Sequence, residues 1–135
     1  MTCYAMPPAT TRPARILVVD DDPFVTLFIS DALGSEGYEV ETAANGREGL
    51  EKIVAQPYDL ILSDLRMPEL DGVGLYREVE RQRPELAARI VFVSGTAEVP
   101  DYTTFLRGVS VPLLSKPFHV DLLLRFVAQC LQVLG

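Results

Sequence analysis

The chain has 135 residues, 48% of them hydrophobic, and 19 acidic against 12 basic residues give it a formal charge of −7. That length supports one globular domain with a core of its own and leaves no room for a second of ordinary size. The acidic balance, without a Lys/Arg cluster, disfavours direct nucleic-acid or anionic-membrane binding, and no apolar run reaches the roughly 18 residues of a membrane span.

Residues 1–14 hold three prolines and three threonines without apolar periodicity, which predicts a flexible arm ahead of a folded unit at 15–134. Residues 16–19 form a continuous apolar run, the pattern of a parallel strand covered on both faces. Asp22 followed by Pro23 is an ordinary helix start, so a helix is predicted over Pro23–Ser35. A strand at Glu39–Ala43, a helix at 47–55, a strand at Leu60–Ser63 and a helix at 73–81 follow. Next come a strand at 90–93 and a poorly patterned stretch at 99–106, which Pro100 and Gly108 bracket; a short or mobile helix is expected there. A strand at 112–114 leads into a helix at Val120–Leu134, where Val120, Leu123, Leu124, Val127 and Leu131 make one apolar stripe. Five β-α units predict a three-layer α/β/α sandwich. Cys3 and Cys130 give no disulfide framework and no metal-ligand spacing, which suits a reducing cytosol. With no apolar signal-peptide core at the start of the chain, a cytoplasmic protein is expected.

Four of the predicted strands end in residues able to handle phosphate or metal: Asp20-Asp21-Asp22, Asp64, Ser94 and Lys116. The edge beyond the carboxyl ends of parallel strands is where open α/β folds bind ligands, so these groups are expected to share one crevice. Carboxylates crowded together repel unless a cation sits among them, and Mg²⁺ is the hard divalent ion that such oxygens suit. A lysine and a hydroxyl are then placed to hold the other oxygens of a phosphoryl group. Each residue also has a plainer account. Asp22 is a helix cap, and Asp20 and Asp21 form an acidic loop that the same helix dipole favours. Asp64 begins a polar loop marked by Met67-Pro68 and Asp71-Gly72, Lys116 is a solvated surface group, and Ser94 caps the next turn. For His119, the only histidine, the role of phosphoryl carrier is the weaker account. The concurrence of all four motifs at strand ends favours the shared site.

These motifs, together with Ser63-Asp64-Leu65-Arg66-Met67-Pro68-Glu69-Leu70-Asp71-Gly72, Ser94-Gly95 and Lys116-Pro117-Phe118, closely resemble the receiver domain of bacterial two-component response regulators, including receivers of hybrid histidine kinases. The resemblance covers residues 15–134 and implies a flavodoxin-like (βα)5 fold with a parallel sheet in the order 2-1-3-4-5. It implies that Asp64 accepts a phosphoryl group from a phosphohistidine on a histidine kinase or histidine phosphotransfer protein. It further implies that Mg²⁺ is held by Asp20, Asp21, Asp64 and the Arg66 backbone carbonyl, with Asp20 acting mainly through a metal-bound water. Lys116 would pair with the acidic site ahead of a cis peptide bond to Pro117, and Ser94 would move toward the phosphoryl group, with Thr96 a weaker rival. Such a domain catalyses only its own phosphorylation and dephosphorylation and acts on a downstream output protein or domain. A phosphorylation-dependent homodimer is compatible with it.

The chain also departs from the family. Leu113 stands where many receivers carry an aromatic residue, the stretch 108–112 is one residue longer than usual, and Arg66 and Thr96 fill positions that tune phosphoryl lifetime in receivers. No effector domain is recognisable after Leu134, so output is expected from a partner or from a longer protein. Three other readings compete. A Mg²⁺-dependent phosphohydrolase commonly has a second acid where Arg66 stands, a flavodoxin-like flavin binder would not have three aspartates after its first strand, and a receiver-like scaffold would not keep the whole site.

Overall fold

The computed structural model describes residues 12–96 and 99–134, so positions 1–11 of the predicted arm lie outside the described residues. Eleven elements follow one another: β1 (Arg15–Val19), α1 (Pro23–Ser35), β2 (Glu39–Ala43), α2 (Gly46–Ala55), β3 (Leu60–Ser63) and α3 (Gly72–Gln82), then α4 (Pro84–Ala87), β4 (Ile90–Ser94), α5 (Pro100–Gly108), β5 (Leu113–Ser115) and α6 (Val120–Leu134). The strands form one parallel sheet in the order β2-β1-β3-β4-β5. β1 and β3 are neighbours, with Val19 beside Ser63 at the end of their shared register.

Strand alternation sorts the core into two layers. Leu17, Val19 and Phe92 pack with Ile53 of α2, Leu75 and Val79 of α3, and Tyr102 and Phe105 of α5. Ile16, Val18, Val91 and Val93 pack on the opposite face with Ile29 and Leu33 of α1 and Leu123, Val127 and Cys130 of α6. Both sheet faces are therefore covered, as the apolar runs at β1, β3 and β4 require.

Caps set the helix starts. The Asp22 carboxylate accepts from the Phe24 N–H at 2.9 Å with Pro23 in the first turn. Asn45 caps α2 by accepting from the Glu48 N–H, while Glu48 reaches back to the Ala44 N–H, both at 2.8 Å. This reciprocal pair starts α2 at Gly46, one residue before the predicted 47.

Other elements also differ from expectation. The helix expected near 99–106 to be short or mobile is α5, nine residues long and running on to Gly108, with Tyr102 and Phe105 on one face and buried in the core. The one-turn helix α4 was not predicted; Pro84 opens it, and its Leu86 and Ala87 are buried. The last strand runs one residue later than expected, with Phe92, Val93 and Ser94 opposite Leu113, Leu114 and Ser115. Among the described residues no helix is long and apolar enough to cross a membrane.

Candidate functional site

The strand ends deliver their polar residues to one edge of the sheet. The Asp20 N–H donates to the Ala43 carbonyl at 3.1 Å, and the Asp64 N–H donates to Val19 at 3.0 Å, so backbone bonds fix both aspartates where their strands stop. Lys116 comes from the end of β5, its N–H held by the Ser94 carbonyl at 3.0 Å, and the Lys116-Pro117 peptide bond is cis. The ammonium reaches across the sheet and donates to Asp20 Oδ2 at 2.7 Å and to Asp64 Oδ2 at 3.3 Å.

Carboxylate oxygens of Asp20, Asp21 and Asp64 lie within 4.8 Å of one another. Asp20 is only 4% exposed, Asp64 is half-buried and Asp21 is exposed, so the group is open on one side. An all-oxygen donor set of this kind matches a hard divalent cation. Arg66 is exposed on the loop two residues past Asp64, between buried Leu65 and Met67. A cavity of about 230 Å³ opens beside Asp20 and Asp21, bounded by Pro23 and Thr26 of α1 and by the end of β2.

The electrostatics of the cluster set burial against charge pairing. Burial pushes the Asp20 carboxyl above its ordinary value and the Asp64 charge adds to this, while Lys116 and the Asp22 N–H oppose it. For Lys116, burial works against the ammonium, but the hydrogen bond to Asp20 and the charges of Asp64 and Asp20 outweigh it, so its pKa is raised. Asp20 thus holds its proton more tightly chiefly because it is buried, and Lys116 because its bonds to Asp20 and the charges of Asp64 and Asp20 outweigh burial.

Ser94 is 1% exposed, and its hydroxyl accepts from the Thr96 N–H at 3.1 Å and pairs with the Thr96 hydroxyl at 3.0 Å. It caps its own loop here, as its plainer account expected. His119 is exposed and directly precedes α6, its carbonyl accepting from the Leu122 and Leu123 N–H groups.

Three residues that the sequence reading named only within a motif or a turn also shape the site. Asp71 caps α3 through the Gly74 N–H at 2.8 Å and accepts from the buried Tyr102 hydroxyl at 3.4 Å. Gly72 packs so closely on the Asp64 carbonyl and Leu65 that a Cβ there has no room. Ser63, wholly buried, donates to the Asp64 carbonyl at 2.8 Å. The Asp71-Gly72 pair was legible as a turn, but nothing in its spacing said that the turn closes against Asp64.

The family description that matches this chain, the response regulator receiver domain, spans residues 16–128. The chain belongs to the response regulator receiver family. Chemotaxis protein CheY of Bacillus subtilis (strain 168) is 31% identical over 118 residues, which cover 87% of this chain and 97% of that protein. The receiver protein CpdR of Brucella abortus (strain 2308) is 36% identical over 106 residues, covering 78% and 87% of the two chains. Transcriptional regulatory protein GlrR of Escherichia coli (strain K12) is 36% identical over 121 residues, but this chain spans only 27% of its length. The crystal structure of a CheY-like receiver domain protein from Methanospirillum hungatei JF-1 superposes with a TM-score of 0.82 at 31% identity, covering 90% of this chain and 96% of that one. As a receiver, the chain is a phosphoacceptor switch domain of two-component phosphorelay signalling, and its sheet order is that of the flavodoxin-like fold.

Proposed function

We propose that Asp64 is the phosphoacceptor, taking a phosphoryl group from a phosphohistidine on a histidine kinase or histidine phosphotransfer protein. The observation that carries this reading is the Lys116 ammonium bonded to Asp20 and Asp64 beside the three clustered carboxylates. An Asp64 oxygen attacks phosphorus, the P–N bond of the donor breaks, and its electron pair stays on the imidazole. Lys116 turns its remaining N–H bond to the phosphoryl oxygens as charge shifts onto them. Ser94, freed from Thr96, supplies the hydroxyl on the other side. Asp20, Asp21, Asp64 and the Arg66 carbonyl would hold Mg²⁺, which when bound offsets the crowded carboxylates and the charge on the transferred group.

The domain is residues 15–134, and it acts on no metabolite; its product is an altered surface read by an output protein or domain, with a phosphorylation-dependent homodimer as one form of output. It works in the cytoplasm and does not touch nucleic acid itself. Exposed Phe24 and the Phe28–Phe118 pair, with ring centroids 6.1 Å apart, flank Lys116 and give the donor protein an apolar rim to rest on.

Intact mass after incubation with Mg²⁺ and acetyl phosphate tests the reading. The native chain should gain one phosphoryl group, and neither Asp64→Asn nor the native chain without Mg²⁺ should gain it. No gain under conditions that label another receiver would leave a receiver-like binding scaffold instead.

A further inference from the structure

Ser63 places a hydroxyl in a strand whose other residues, Leu60, Ile61 and Leu62, are all apolar and all buried. A hydroxyl there costs free energy unless it finds a partner, and an apolar side chain would avoid the cost. The partner it finds is the Asp64 carbonyl, at 2.8 Å. That carbonyl lies past the last register pair of β3 with β4, and among the described residues no backbone N–H donates to it.

The carbonyl matters because of what shares its peptide plane. The N–H on the other side of that rigid unit belongs to Leu65, and it donates to Asp64 Oδ1 at 2.7 Å. Holding the oxygen therefore aims the N–H. Gly72 closes the opposite side of the carbonyl, and its own N–H holds the Leu65 carbonyl at 2.8 Å. The Asp64 carboxylate, whose two oxygens are chemically equivalent when free, is thereby kept in one orientation, with Oδ1 on the Leu65 N–H and Oδ2 toward Lys116.

We propose that Ser63 is a positioning residue for phosphoryl transfer: by fixing the Asp64–Leu65 peptide it holds the carboxylate of Asp64 in the orientation from which it attacks. This rests on the reading of Asp64 as phosphoacceptor. Pre-orientation lowers the barrier of the chemical step and leaves donor binding alone.

The test uses the full chain with saturating Mg²⁺ and acetyl phosphate, comparing native protein with Ser63→Ala, Ser63→Thr and Ser63→Cys. Loss of one hydrogen bond of ordinary strength predicts a maximal labelling rate about three- to tenfold lower for Ser63→Ala. The acetyl phosphate concentration giving half that rate should not change. Ser63→Thr keeps the hydroxyl and should restore the rate. Should its extra methyl prevent folding, Ser63→Cys, with a weak donor of similar size, is expected to lie between native and alanine. The Leu65 amide proton, bonded to a carboxylate, should move upfield in the unphosphorylated Ser63→Ala chain and stay in place in Ser63→Thr. Native-rate labelling by Ser63→Ala, or a rate that falls equally in the folded threonine variant with the Leu65 amide unmoved, overturns the positioning role while leaving Asp64 as acceptor. A native chain that takes up no phosphoryl group removes both.

Discussion

At Lys116 two effects oppose each other, since burial disfavours its charge while Asp20 and Asp64 favour it, and the carboxylates win. The same contacts make Lys116 a competitor for any cation entering the cluster, because it already holds Asp20 Oδ2 and Asp64 Oδ2. Lys116→Ala should therefore bind Mg²⁺ no more weakly than the native chain, by calorimetric titration. Its phosphorylation at saturating Mg²⁺ should nonetheless fall by about ten- to a hundredfold, the worth of a hydrogen bond to a charged group. At the far end of the sheet Tyr58 donates to Glu41 at 2.8 Å and accepts from Gln56, with the Arg15 guanidinium over its ring. Burial, then Glu41, push the Tyr58 phenol up from 10.0 to about 12. The folded chain thus keeps this proton to higher pH than the unfolded chain, so Tyr58 contributes fully below pH 10 and progressively less as pH climbs toward about 12. Urea midpoints measured across that interval should fall for the native chain and flatten for Tyr58→Phe. Single residues were legible where a local rule governs them, as with the Asp22-Pro23 cap. Ser63 was not, because its partner is set by where a strand stops.

Elements were legible in proportion to their apolar stripe. α6 carries a full stripe and has the predicted bounds, whereas α5 is held by two aromatics that a periodicity scan hardly registers. Phe105 meets Tyr76 and Phe92 edge-on, with ring centroids 5.5 and 5.8 Å apart, and Arg77 lies over its ring. The aromatic mass near β5 thus sits on this helix, while the strand itself offers Leu113 opposite Phe92. Phe105→Ala should cost about 3 kcal/mol in urea unfolding. Its extra amide exchange should appear in α5 first and spare α1 and α6, which share the other core layer. α4 escaped notice because one turn carries no period to detect.

For the whole molecule, the alternation of apolar runs with helical stripes predicted the α/β/α layers, whereas the order of strands came only with the family resemblance. A net charge of −7 is felt by any anionic donor approaching the site. Salt screens that repulsion, so labelling by acetyl phosphate at saturating Mg²⁺ should rise about twofold between roughly 0.02 and 0.2 M salt in a stopped time course. A rate that falls with salt would mean that local attraction at Lys116 dominates the approach. Finally, Asp20 and Asp64 follow directly on Val19 and Ser63, which face each other across adjacent strands, and the Asp64 N–H is bonded to Val19. The gap between the two acids is accordingly a lattice spacing of the sheet, set by main-chain bonding about 4.8 Å wide. Helix surfaces can drift through many substitutions without recalibrating that gauge, and it fails only when the sheet itself comes apart, so competence to receive phosphate and the folded state are lost as one cooperative event.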